Sequence, residues 1–318
     1  MHAAVVSAFD TPPTYREMPT PTPQAPGEVL VDVLAVGLHP RVRSQADGSH
    51  YTSTEELPLV PGIDGVGRTT DGELRYFVLP DTTMGALAER TVIDLRRSVG
   101  LPEGSDPVPI AAAMNPAMSS WIALHRRIVF EPGQKVLVLG ATGNAGRMAV
   151  QIARHFGAAH VIGAGRRADQ LATLTELGAD TTVNLDGPSD AVAERLGAAA
   201  ADVDVVIDYL WGEPTVAALT ALVVHRADES QQLTWIQIGS VAGRTAPIPS
   251  AALRAVPLQI VGSGQGSVSA RDIVAELPAL AAEIAKGTFA IDARAVPLAD
   301  VERAWRDTGA RHRIVITP

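Results

Sequence analysis

The chain has 318 residues, long enough for two domains, and 46% of them are apolar, which excludes a disordered polymer. Its 35 acidic and 26 basic residues leave a net charge of −9, so neither nucleic acid nor an anionic membrane is an expected partner. No cysteine is present, which excludes disulfides, thiolate catalysis and cysteine-ligated zinc, and no basic leader or run of 18 apolar residues is seen, so a cytoplasmic location is expected.

Residues 1–9 read as a first strand, and 15–26, rich in proline, as an extended surface connection. Over 28–36 the apolar residues Val29, Val31, Val33 and Ala35 alternate, with Asp32 on the other face, the pattern of a half-buried strand. Gly37-Leu38-His39-Pro40 leaves that strand. The glycine-punctuated stretch Pro61-Gly62-Ile63-Asp64-Gly65-Val66-Gly67 leads into another, and 74–79 and 89–93 supply two more. About the first hundred residues therefore form a β-rich domain. Residues 111–114 are helical, Asn115-Pro116 interrupts, and 119–125 resumes the helix.

From 135 the pattern changes. Val136–Leu139 is short, apolar and β-branched, as in a buried parallel strand. Gly140, Gly143 and Gly146 follow, then a helix with apolar residues at helical spacing that ends at Gly157, then a strand from Val161. Strands at 182–184, 203–208, 233–238 and 258–261 alternate with helices at 171–177, 190–196 and 216–223. This is a doubly wound parallel sheet. Helices at 273–284 and 298–307 and a strand at 313–317 close the chain and complete the first domain. The expected division is 1–117 with 263–318 for that domain, and 118–262 for the inserted one.

The glycine turn carries the clearest chemistry. Glycines let the backbone approach a pyrophosphate, and the helix opening there offers unpaired N–H groups and the positive end of its dipole. Gly140, Ala141, Gly143, Asn144, Ala145 and Gly146 are the candidate phosphate contacts; a turn used only for helix–strand packing is the alternative. An NAD site places a carboxylate at the tip of the next strand, roughly 20 residues past the glycines. Here that tip reads Gly165-Arg166-Arg167. Arginine grips a 2′-phosphate with charge-assisted hydrogen bonds, so NADP(H) is favoured over NAD(H), unless the two arginines are only a solvated helix start.

These motifs, with Asp204-Val205-Val206-Ile207-Asp208, Ile238-Gly239 and Pro297-Leu298 before the closing strand, resemble the medium-chain dehydrogenase/reductase superfamily. Within it the chain is most similar to the zinc-independent, zeta-crystallin-like quinone oxidoreductases. The resemblance implies a Rossmann domain inserted into a GroES-like β-rich domain, a homodimer, and hydride transfer from NADPH to a quinone. Zinc alcohol dehydrogenases have a cysteine ligand at the position of His39 and a histidine ligand at that of Ile63. Isoleucine cannot bind metal, so no metal is expected.

The family's nicotinamide-contacting threonine matches Ser119 here. The resemblance places the cleft among His39, Tyr51, Ser119, Tyr209 and Ser240, and makes Ser119, Tyr209, Ile238, Gly239 and Ser240 candidate cofactor contacts. Reduction of a conjugated carbonyl develops negative charge on its oxygen, which a hydrogen-bond donor stabilises. His39 and Tyr51 are the candidate catalytic side chains, although each could equally shape a wall or pack in a loop. Tyr209 either walls the cofactor or packs as an ordinary aromatic. Arg313 could reach a phosphate, but a solvated arginine is the plainer reading. Two other functions fit the same residues: reduction of α,β-unsaturated aldehydes or ketones, and non-catalytic NADPH sensing.

Overall fold

The computed structural model describes all residues except Tyr51, Gln265, Gly309, Ala310 and Arg311. Tyr51, a candidate catalytic side chain, therefore lies outside the described residues. The chain divides into two compact units, Met1–Asn115 with Val274–Pro318, and Pro116–Ile273.

The first unit is built on the strand Glu28–Gly37, in which Val31, Val33 and Ala35 are buried and Asp32 is exposed. Its seven-stranded sheet runs Ala293–Pro297, Arg313–Thr317, Glu28–Gly37, Asp64–Thr69, Leu74–Val78, Ser98–Gly100, with Arg90–Asp94 also paired to Glu28–Gly37. Val31, Val33, Phe77, Leu87, Ile93 and Ile316 fill its core. The closing strand spans Arg313–Thr317 as the sequence reading has it. The strand Thr14–Glu17, by contrast, pairs with His2–Val5 inside the stretch read as a connection. It is largely exposed, so it has no apolar alternation to betray it.

Gly37-Leu38-His39-Pro40 leaves the strand as expected, and Pro40 opens the seven-residue helix Pro40–Ala46, where proline's missing N–H costs nothing and its fixed φ suits the first position. One local expectation is corrected. Pro116 does not interrupt the next helix: Pro107–Ile122 runs through it and passes into a π-helical turn, Ala123–Arg127. Ala112, Met114, Ala117 and Trp121 are all buried there, so packing outweighs the roughly 3 kcal/mol that an interior proline costs.

In the second unit six parallel strands lie in the order Thr181–Asn184, His160–Gly165, Lys135–Leu139, Val205–Asp208, Leu233–Gln237, Leu258–Gly262. The chain starts in the middle, at Lys135–Leu139, winds outward to one edge, then returns to Val205–Asp208 and winds to the other. The reversal falls between Lys135–Leu139 and Val205–Asp208, and ligands of such sheets bind outside the carboxyl ends of the strands flanking it. Val136–Leu139 and Val205–Ile207 are fully buried, which explains their unbroken apolar runs. The helix read at 171–177 is shorter, Ala168–Leu171 followed by the 3-10 turn Ala172–Leu174. Among the described residues no helix is long and apolar enough to cross a membrane.

Candidate active site

Beyond Leu139 the chain turns at Gly140, whose φ of +84° suits only glycine. The N–H groups of Gly140 and Ala141 donate to the Ala164 carbonyl, 3.0 and 2.9 Å, which ties the turn to the second strand. Ala141 is fully buried and belongs to the core. Gly143 is the N-cap of the helix Asn144–His155, and no side chain caps it. The first N–H groups of that helix, from Asn144, Ala145 and Gly146, are thus left to an external acceptor. A methyl group at Gly146 would run into the Gly140 carbonyl oxygen and stand 2.6 Å from Ala141 Cα. The turn is a tight backbone cradle ahead of an uncapped helix start, the form an anion requires.

At the tip of the second strand a Cβ on Gly165 would lie 2.7 Å from Thr142 Cγ2, so the strand passes hard against the glycine turn. The two arginines after it differ. Arg167 is the N-cap of Ala168–Leu171 and donates to Asp169, 3.5 Å. Arg166 is exposed and pairs with no carboxylate among the described residues.

The carboxyl end of Val205–Asp208 holds a residue whose part the sequence reading missed. Asp208 is fully buried, and its carboxylate accepts four hydrogen bonds. Leu210 N–H (2.8 Å) and Trp211 N–H (3.1 Å) reach Oδ1, while Thr215 Oγ1 (2.6 Å) and Trp235 Nε1 (3.0 Å) reach Oδ2. The Asp208 carbonyl accepts from the N–H groups of Ile238 and Gly239. This web holds Trp211 in the left-handed region, φ +54°, the one non-glycine residue there among those described. A Cβ at Gly239 would meet the Tyr209 carbonyl oxygen at 2.5 Å. Residues 208–211 and 238–240 therefore meet backbone to backbone, with Ser240 exposed at the end. The signal was present: a carboxylate closing the apolar run Val-Val-Ile must find donors in the interior.

Tyr209 is buried, and its phenol lies 2.8 Å from Ser119 Oγ. The serine hydroxyl donates to the Pro116 carbonyl, 2.7 Å, so the phenol donates to the serine. Burial pushes the phenol's pKa up to about 12, against the opposing pull of Ser119 and Ser120. The side chain is thus a buried, neutral donor whose hydroxyl is tied to the helix that carries Ser119.

The first unit holds a polar group of its own. His39 and Asp64 are 3% and 1% exposed, and His39 Nε2 lies 2.8 Å from Asp64 Oδ1. Tyr76, fully buried, donates its hydroxyl to Asp64 Oδ2 at 2.8 Å. Burial and the adjacent carboxylate hold the Tyr76 pKa well above the usual phenol range. Arg313 is buried, contrary to the reading of a solvated arginine, and donates to the Leu38 carbonyl, 3.2 Å. Burial lowers its pKa to about 10, with Asp64 pulling the other way. Ile63 is apolar and buried. Among the described residues no group of three or more histidines or carboxylates could hold a metal ion.

Against known families, residues 145–231 match the model described as zinc-binding dehydrogenase. That stretch contains neither His39 nor Ile63. Over 363 residues, spanning all of both chains, the sequence is 33% identical to a probable NADPH-dependent quinone reductase, tdiC, of Emericella nidulans. It is 26% identical to quinone oxidoreductase-like protein 2 of Rattus norvegicus, over 78% of this chain and 70% of the relative. Among solved structures, the quinone oxidoreductase of Thermus thermophilus, described also in complex with NADPH, superposes with a TM-score of 0.79 at 27% identity over all of both chains. With its sheet order, its glycine turn and this full-length similarity, the chain belongs to the medium-chain dehydrogenase/reductase superfamily, in its quinone oxidoreductase branch.

Proposed function

We propose that the protein is an NADPH-dependent oxidoreductase that transfers a hydride to a quinone or similar conjugated carbonyl without zinc. The observation that carries this reading is the uncapped helix start at Gly143, set in the glycine turn and paired with the exposed Arg166 at the next strand's tip. That arrangement suits a pyrophosphate and a 2′-phosphate together. The full-length relative and the solved neighbour, one described as NADPH-dependent and the other as complexed with NADPH, support the same cofactor.

The bound cofactor would supply the hydride. The chain's own residues bind, orient and protonate. Backbone N–H groups of Asn144, Ala145 and Gly146 hold the pyrophosphate, and Arg166 holds the 2′-phosphate. The backbone of Ile238 and Gly239, held by the Asp208 carbonyl, and of Ser240 after it shapes the carboxyl edge of the sheet. His39 donates to the oxygen on which charge develops. Zinc independence is supported by the donor set: Ile63 offers no ligand atom, and His39 Nε2 is engaged by Asp64. NADPH oxidation against a panel of quinones and enones tests the proposal. Rapid turnover of a quinone with NADPH and slow turnover with NADH is expected; tight NADPH binding without turnover of any acceptor would assign the chain to sensing instead.

A further inference from the structure

We infer that Asp64, braced by Tyr76, is the positioning residue of the proton donor: it holds His39 by Nε2 and thereby makes Nδ1 the nitrogen that acts on the substrate. This rests on His39 acting as the donor in the function proposed above.

Asp64 opens the strand Asp64–Thr69, and Tyr76 stands opposite Val66 on the neighbouring strand Leu74–Val78. Both carboxylate oxygens are engaged, Oδ1 by His39 and Oδ2 by the phenol. The phenol keeps its proton, since burial and Asp64 both oppose its ionisation. A phenol donating to one carboxylate oxygen leaves the other to accept, so the hydrogen between His39 and Asp64 belongs to Nε2. In a neutral imidazole the second nitrogen then carries a lone pair. Nδ1 makes no hydrogen bond to any of the described residues.

The consequence concerns the protonation state of the donor. With Nε2–H committed to Asp64, Nδ1 can release a proton only from the imidazolium. Among the described residues, Asp64 contacts His39 directly, Tyr76 is bonded to Asp64, and Arg313, on the strand Arg313–Thr317, reaches the Leu38 carbonyl and attracts Asp64. The step balances simply. As the acceptor takes up the hydride, its electron pair moves to the carbonyl oxygen. The Nδ1–H bond breaks toward that oxygen, leaving a neutral imidazole that still donates Nε2–H to Asp64. A proton from solvent restores Nδ1–H, and a quinone departs as its hydroquinone.

Histidine-labelled protein without cofactor or substrate gives a direct test by 15N NMR, the His39 signal being identified by its loss in His39→Asn. Neutral His39 is expected as the Nε2–H tautomer. In Asp64→Asn the phenol keeps the amide oxygen, the amide NH2 faces Nε2, and the neutral tautomer turns to Nδ1–H. In the same variant kcat should fall roughly 10-fold or more, while NADPH affinity should hold within about 2-fold. Tyr76→Phe retains the carboxylate and the volume; it should keep the Nε2–H tautomer and lose only roughly 2–5-fold in kcat. An Nδ1–H tautomer in the wild type, or a folded Asp64→Asn enzyme with the wild-type kcat, would overturn the inference. If no acceptor is reduced at all, the functional reading fails while the NMR result still judges the tautomer.

Discussion

Gly143 and Gly146 sit three residues apart in one turn, yet the structure assigns them opposite tasks that substitution to alanine separates. At Gly146 the added methyl meets only backbone: the Gly140 carbonyl oxygen and carbon, and Ala141 Cα at 2.6 Å. None of these can swing aside, because Gly140 and Ala141 are tied to Ala164. Gly146→Ala should therefore destabilise the fold by about 1–3 kcal/mol, the scale of an overpacked core. Gly143 has φ −74° and ψ 163°, an ordinary extended conformation, and its added methyl would touch Gly140 O at an unstrained 3.5 Å. Gly143→Ala should leave stability within about 1 kcal/mol of the wild type, the gain through the unfolded chain being offset by alanine's poorer fit at an N-cap. Its cost should appear on the ligand, since a methyl on the phosphate side of the turn blocks close approach. A loss of about tenfold in NADPH affinity, ~1.4 kcal/mol, is expected. Urea unfolding and fluorescence titration of NADPH measure both quantities. A Gly146→Ala protein as stable as the wild type, or a Gly143→Ala protein that is less stable but binds NADPH normally, would refute the division of labour.

Arg166→Ala should weaken NADPH binding by roughly 1.5–3 kcal/mol, the scale of a charged hydrogen bond, and leave NADH nearly unchanged; parallel titrations decide, and equal losses would remove Arg166 from the 2′-phosphate. Elemental analysis should find no stoichiometric zinc and a chelator should not slow turnover, because Ile63 and the Asp64-bound His39 leave no ligand set. Asp208→Ala should cost roughly 3 kcal/mol or more in unfolding free energy, since it strands the buried donors of Thr215 and Trp235 and frees the left-handed Trp211.

The glycine turn, the sheet and the closing strand were legible because each obeys a local rule. A turn that only glycine can make and a buried strand that must be wholly apolar leave marks within a few residues. The failures share a cause. Residue type alone makes Pro116 a helix breaker and Arg313 a surface charge, and burial that only the folded chain supplies overrules both. The direction of Tyr209 depends on Ser119, 90 residues away, and the grip on His39 depends on Asp64, 25 residues away. No spacing rule connects such pairs. A carboxylate at the end of an apolar strand was nevertheless a usable signal for Asp208, and Asp64, at the head of a glycine-rich buried strand, carried the same one.

Arg313 offers the last test, because its placement is unfavourable for stability alone. The guanidinium is 7% exposed, its Nε has no partner, and it donates to a neutral carbonyl, that of Leu38, at 3.2 Å. The lowering of its pKa from 12.5 to about 10 corresponds to about 3 kcal/mol of disfavoured charge. The sign is that of a base held against its preference: at working pH the group stays protonated, and the folded state bears the cost. Arg313→Met removes the charge while keeping the length of the chain. Asp64 would still accept from His39 and Tyr76, so no carboxylate is orphaned. The variant should be as stable as the wild type or more stable, by up to about 3 kcal/mol, as when buried ionic groups give way to apolar ones. If urea unfolding instead shows a loss of more than about 1 kcal/mol, the attraction between Arg313 and Asp64 outweighs desolvation and the residue is structural. A gain in stability together with a fall in kcat would mean that the charge is held for the chemistry at His39, against the interest of the fold.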